Sequence, residues 1–187
     1  TKFVKKSYAG PLLKKEITAI NLVIKNKKEP VTCIIGGSKI STKINVIISL
    51  LKKVNNLIIV GAMANNFFVH KNFKVGKSLI EANTKEIIED IYKKAELNNC
   101  EILIPEDCVV GTDFEGTGKN KNLDEVKDNE IILDIGNNTI KNIQKKINGS
   151  STVLWNGPAG YFENENFSTG TLSIAENISK NTIEKSL

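Results

Sequence analysis

The feature that most constrains the fold is an alternation of short apolar runs with amphipathic segments. The runs are Val31 to Ile35, Leu57 to Val60, Ile102 to Ile104, Ile131 to Asp134 and Thr152 to Trp155. Each has the length of a strand, and near-continuous apolarity suits strands covered on both faces. Between them, Ile44, Ile47, Ile48 and Leu51 mark one face of a helix over Ile40 to Lys53. Ile87, Ile88, Ile91 and Ala95 do the same over Thr84 to Leu97, and Ile140, Ile143 and Ile147 over Asn138 to Ile147. The pattern predicts an α/β chain with a doubly wound, mainly parallel sheet and helices on both faces, a Rossmann-like three-layer arrangement. Pro11 to Asn26 predicts a helix ahead of the first strand, with Pro in its permitted first turn. Gly111 to Asp128 reads as a long surface loop with room for a short irregular strand.

With 187 residues the chain can bury one substantial core, and 40% hydrophobic with 25% charged residues is globular rather than disordered. Its net charge of +5 is spread among scattered acidic residues. No basic tract stands out, which argues against nucleic acid and fits small phosphorylated ligands. No stretch approaches the roughly 20 apolar residues that cross a bilayer, and no signal core follows the N-terminus, so a soluble, cytoplasmic protein without a membrane partner is expected. Cys33, Cys100 and Cys108 lack Cys-x-x-Cys spacing, which speaks against a disulfide framework or a zinc site, and Cys33 reads as a small core residue. His70 has no sequence partner that would make it catalytic and reads as exposed or capping. Thr1 stands where an initiator Met would, and Leu187 falls inside a predicted helix; the expectation is a piece of a longer protein.

In an open α/β sheet ligands sit beyond the carboxyl ends of the strands, so the loops there are the places to search. Gly36-Gly37-Ser38-Lys39-Ile40-Ser41-Thr42-Lys43 joins a strand to a helix; its glycines let amides approach an anion, and Lys39 and Lys43 share a helical face. A plain turn with solvated lysines explains this loop equally well on its own. It lacks Walker A spacing, and the similar Gly76-Lys77-Ser78 has Lys71 where that motif needs glycine. Gly61-Ala62-Met63-Ala64 leaves room for a flat ring or for close helix packing. Asp134 before Ile135-Gly136 is a ligand or, more simply, a cap for the helix beginning near Asn138. In Trp155-Asn156-Gly157-Pro158-Ala159-Gly160-Tyr161-Phe162-Glu163, Asn156 offers donor and acceptor, Pro158 a rigid face and Glu163 a carboxylate able to take two ribose hydroxyls, though as isolated residues they would also serve to build a tight turn under a core Trp.

These strings, with Ala9-Gly10, Leu12 to Glu16 and Val75-Gly76-Lys77-Ser78-Leu79, resemble the phosphoglycerate kinase family in content, order and spacing over nearly the whole chain. The resemblance implies a linker remnant over residues 1–10 and, over 11–187, the nucleotide-binding domain, incomplete at its C-terminus. It implies ATP or ADP with Mg2+ as cofactor, and 3-phosphoglycerate or 1,3-bisphosphoglycerate bound by an N-terminal domain outside this sequence. It implies Lys39 beside the transferring phosphoryl group, Lys43 on nucleotide phosphates, Gly37 and Ser38 on the phosphate side, and Gly61, Ala62, Leu79 and Gly136 around adenine. Asn156 would face the phosphates and Pro158 with Glu163 the ribose. No metal ligand is expected within the chain, since the family's magnesium-linked Asp belongs to a Gly-Gly-Gly-Asp loop expected beyond Leu187. The chain departs from the family at Val60-Gly61-Ala62, where three glycines are common, and at Thr42, where some members carry Asp. A monomer, inactive alone, is expected. The alternative is a non-catalytic nucleotide-binding module. A dinucleotide-dependent oxidoreductase lacks its Gly-x-Gly-x-x-Gly after the first strand.

Overall fold

The computed structural model describes residues 27–185 together with 6, 8, 10–15 and 18, with side chains through residue 181. Residues 11–15 and 18 are helical, beginning at Pro11 as a first-turn proline allows; the rest of the helix expected over 11–26, and most of the linker expected over 1–10, lie outside the described residues.

Four parallel strands form the main sheet: β1 (Val31–Ile35), β2 (Asn56–Ile59), β3 (Glu101–Leu103) and, at the other side of β1, β7 (Thr152–Asn156), in the order β3-β2-β1-β7. In the two central strands the apolar runs are continuous because both faces are covered, while the edge strands β3 and β7 are only partly buried. On one face Val31, Cys33, Ile35, Leu57 and Ile59 pack with residues of α1 (Ile44–Leu51), α2 (Ala64–His70) and α3 (Lys85–Leu97). On the other, Ile34, Ile58 and Val60 pack with Ile143 and Ile147 of α4 (Asn137–Asn148) and Ile174 of α5 (Thr169–Lys185). Successive strand residues thus serve opposite layers, as the pleat requires.

The structure corrects the reading of Ile131 to Asp134. That run, as β6 (Ile131–Ile135), pairs antiparallel with β4 (Asp107–Gly111), which the apolar periodicity did not reveal; β5 (Lys119–Asn122) completes a second, three-stranded sheet. An apolar run reports burial, whereas strand direction depends on a distant partner. The predicted loop over 111–128 therefore contains β5 and a turn that buries Leu123. Lys121 binds both oxygens of Glu130 at 2.7 and 2.9 Å and holds this sheet to its neighbouring turn. Gly76 wedges against the carbonyls of Lys127 and Glu130, and Lys77 N–H donates to Glu130 O at 2.7 Å, so the 75–79 loop docks on the second sheet. Helix α2 was not expected, α1 is shorter than the predicted 40–53, and His70 is half-buried and stacked on Tyr92 at 6.0 Å.

Candidate functional site

The three loops leaving β1, β2 and β7 cross one another at the carboxyl end of the main sheet. Gly36 N–H donates to Asn156 O at 2.8 Å, Gly61 N–H to Ala159 O at 3.1 Å and Met63 N–H to Gly37 O at 2.8 Å. Only a residue without Cβ fits at Gly36, because a Cβ would sit inside the Pro158 carbonyl oxygen and 2.9 Å from that of Gly157. Gly36 and Asn156, 120 positions apart in sequence, are thereby pressed into one floor at the strand ends, where ligands of open α/β sheets bind.

Lys43, at the start of α1, sends its ammonium back under this crossing. It donates to Gly36 O at 2.6 Å and to Asn156 Oδ1 at 2.7 Å, and partial burial pulls its pKa below the usual 10.5. Lys39 is exposed on the loop above; Glu81 lies near enough to feel its charge, although Glu81 is kept ionised chiefly by its hydrogen bonds with Ser41. One lysine is therefore fixed and the other left at the surface.

A cavity of about 380 Å³ opens beside the crossing, within the size range of small-molecule sites. Gly37, Ser38, Gly61, Ala62, Leu79, Pro158 and Glu163 all line it. Ser38 and Glu163 bring polar side chains to the lining, and Leu79, Ile132, Leu133 and Ile135 apolar ones. Lys43 and Asn156 stand beside this lining and Lys39 outside it. Gly136 is also outside it: a Cβ there would collide with the Asp107 carboxylate, and its N–H donates to Asp107 O at 3.0 Å.

Asp107 is what the sequence reading missed at the start of α4. Its carboxylate accepts from Asn138 N at 2.9 Å, Thr139 N at 2.8 Å and Thr139 Oγ1 at 2.6 Å, so it is Asp107, from a different strand, that caps this helix. Asp134, the expected cap, instead accepts from Gly170 N at 2.7 Å at the start of α5. Asp107→Ala is expected to cost about 1 to 2 kcal/mol in a denaturant midpoint experiment, the value of a lost cap. An unchanged midpoint would show that solvent replaces it.

Phe114, Tyr161, Lys77 and Cys108 also line the cavity. Phe114 and Tyr161 meet edge to face at 5.2 Å, and the loop carrying Phe114 is pinned by Asn164 Nδ2 to Phe114 O at 2.8 Å and Asn166 Nδ2 to Gly116 O at 3.2 Å. A large aromatic in a loop rich in Gly and Lys was the available signal for Phe114. Cys108 is no nucleophile: burial, then the nearby Asp107, pushes its thiol up to about 12. Cys33, also to about 12, and Cys100, to about 11, are raised chiefly by burial as well.

The site thus offers amides, a fixed ammonium and an apolar slot, and lacks an activated nucleophile among the described residues. Those are the means for holding an anion beside a flat group. Among the described residues no three His, Cys, Asp or Glu side chains converge, so they do not form a protein cage for magnesium. No helix among them is long and apolar enough to cross a membrane.

Comparisons with known proteins agree with this geometry. The family profile described as phosphoglycerate kinase matches residues 1–186. A phosphoglycerate kinase of Xanthobacter flavus is 41% identical over 171 residues, covering 90% of this chain and 43% of that protein. One of Blochmanniella floridana is 43% identical over 180 residues, covering 95% and 44%. The solved phosphoglycerate kinase of Coxiella burnetii superposes with a TM-score of 0.86 at 37% identity, over 92% of this chain and 45% of that one. The chain spans less than half the length of each of these relatives.

Proposed function

The chain belongs to the phosphoglycerate kinase family, and from that premise we propose that it supplies the nucleotide side of reversible phosphoryl transfer between 1,3-bisphosphoglycerate with ADP and 3-phosphoglycerate with ATP. The observation that carries this is the Lys43 ammonium, fixed at 2.6 and 2.7 Å between two strand-end loops beside an apolar cavity that Gly37, Pro158 and Glu163 help to line. Adenine lies against Gly61, Ala62 and Leu79, with Gly136 behind that wall. The ribose hydroxyls reach Glu163 over Pro158. The phosphates lie along Gly37, Ser38, Lys43 and Asn156, with Lys39 beside the group in transfer.

Transfer of a phosphoryl group needs positioning and charge neutralisation more than covalent help, so these residues act by orienting oxygens and offsetting their charge. Magnesium, when bound with the nucleotide, would add cationic charge on the phosphates. The carboxylic acid substrate belongs to a second domain beyond this chain, and closure of the two domains would exclude water from the mixed anhydride. By itself the chain then binds nucleotide without turnover, in the manner of a non-catalytic module. We place it in the cytoplasm as a monomer.

Titration of the chain with ADP, with and without magnesium and with NAD as control, tests this assignment. ADP is expected to bind in both conditions and NAD to bind far more weakly. NAD binding as tight as ADP would overturn the assignment.

A further inference from the structure

The loop that carries Pro158 to Glu163 is strapped from two sides. Tyr161 N–H donates to Leu133 O of β6 at 2.7 Å, while Ala159 N–H and Gly160 N–H donate to Thr171 Oγ1 of α5 at 3.0 and 3.4 Å. Asp134 is the next residue after the first strap, and Gly170 the one before the second. The Asp134 carboxylate joins them: Oδ2 accepts from Gly170 N at 2.7 Å, and Oδ1 from Ile135 N at 2.9 Å. The carboxylate fits only because two neighbours lack side chains. A Cβ on Gly160 would lie 2.6 Å from Asp134 Cγ, and one on Gly170 would lie 3.0 Å from it.

We propose that Asp134 is a positioning residue of the nucleotide site: its carboxylate ties α5 to β6 and so sets where the Pro158–Glu163 loop stands at the cavity mouth. The proposal rests on the nucleotide assignment for its ligand, but not for the latch itself.

Asp134 is 2% exposed and lines the cavity. Of the titratable groups on the elements packed against it, Asp107 and Cys108 on β4, Tyr161 and Glu163 on the loop, and Glu176 and Lys180 on α5, none bonds to it. Burial therefore dominates and pushes its pKa from 3.8 up to about 6, with the Gly170 and Ile135 N–H groups pulling the other way. Because the folded value is raised, the native chain keeps a proton that the unfolded chain releases between those two values. This group's contribution to stability falls as pH rises through that window. Protonation thus favours the fold yet weakens the tie, since a neutral carboxyl oxygen is a poorer acceptor than a carboxylate.

The test compares wild type with Asp134→Asn, which is neutral at every pH. Adenosine is the probe, because it carries no phosphate to titrate. Trp155, the chain's one tryptophan, gives a second readout that needs no ligand: its Nε1–H donates to Gly157 O at 2.7 Å at the root of the loop. Between about pH 7.5 and about 5.5, wild type is expected to lose adenosine affinity by about fivefold, in the ordinary range of coupling between two sites. Trp155 emission is expected to shift with the same midpoint. Asp134→Asn is expected to show the low-pH affinity throughout and no emission shift, because its amide keeps one acceptor oxygen and sets an NH2 against the other N–H. Flat wild-type profiles, or profiles that survive in Asp134→Asn and so belong to another group, would overturn the proposal. An emission shift that the substitution removes, in a chain that binds no adenosine at any pH, sinks the nucleotide assignment and leaves the latch standing.

Discussion

Gly36→Ala is expected to lower stability by about 4 kcal/mol, seen as a fall of roughly 10 °C in thermal midpoint for a chain of this size. The added Cβ would meet backbone, the Pro158 carbonyl oxygen and, at 2.9 Å, that of Gly157, and neither is the end of a flexible side chain that could swing aside. To make room the loops after β1 and β7 must part, which breaks the 2.8 Å bond from Gly36 N–H to Asn156 O. The same parting carries Asn156 Oδ1 and Gly36 O away from the Lys43 ammonium that both of them hold. Loss of ADP binding should accompany the loss of stability. Gly149→Ala is the matching control: the nearest atom to its Cβ would be 3.4 Å away, an ordinary contact, and the midpoint should move by less than about 0.5 kcal/mol. Equal effects of the two substitutions would contradict the proposed crossing of the loops.

Lys43→Met is expected to weaken ADP binding about thirtyfold, or about 2 kcal/mol, with adenosine affinity changed by no more than about twofold. Methionine keeps most of the apolar stem and removes only the charge. The half-buried ammonium is bonded to a carbonyl and an amide oxygen, neither of them ionised, so these partners do not neutralise its charge. A phosphate arriving there gains a desolvated cation already held in place. Equal losses for ADP and adenosine would make Lys43 a brace for the loops rather than a phosphate ligand. Lys39 should behave differently. It is exposed, and although its carbonyl accepts from Thr42 Oγ1 at 2.9 Å, its ammonium has no hydrogen bond or ion pair among the described residues, so nothing restrains the side chain from following a group in motion. In a complete two-domain enzyme, Lys39→Ala is expected to lower kcat about a hundredfold and to change nucleotide affinity far less, the mark of a contact made in the transition state. Equal changes in both would remove that role.

The cavity lining was legible in the sequence wherever a residue follows directly on a strand. Gly37 and Ser38, Gly61 and Ala62, and Pro158 with Glu163 each sit in a loop directly after an apolar run, and the structure places all six on one cavity. Leu79 reached the same cavity because Gly76, close by in sequence, docks the 75–79 loop on Lys127 and Glu130. Gly136 shows the limit of such reading. Its place in a motif suggested a binding wall, but what it touches is Asp107, 29 positions away on another strand. Phe114 and Tyr161 meet in the cavity lining for a similar reason, since the contact joins two loops that no local pattern relates.

The same division holds for the fold. Consecutive apolar residues in β1, buried at all five positions, and over residues 57–59 of β2 already implied a sheet covered on both faces, and that is a local property of the string; β7, at the sheet's edge, is only half-buried over residues 152–155. Helical faces were equally readable from spacing, as Ile143 and Ile147 against the sheet confirm. The antiparallel pairing of β6 with β4 and the attachment of Asp134 to α5 rather than α4 could not be read in this way. Each depends on which surfaces meet after the chain has folded back on itself, and a buried carboxylate takes whichever N–H groups that folding brings within reach.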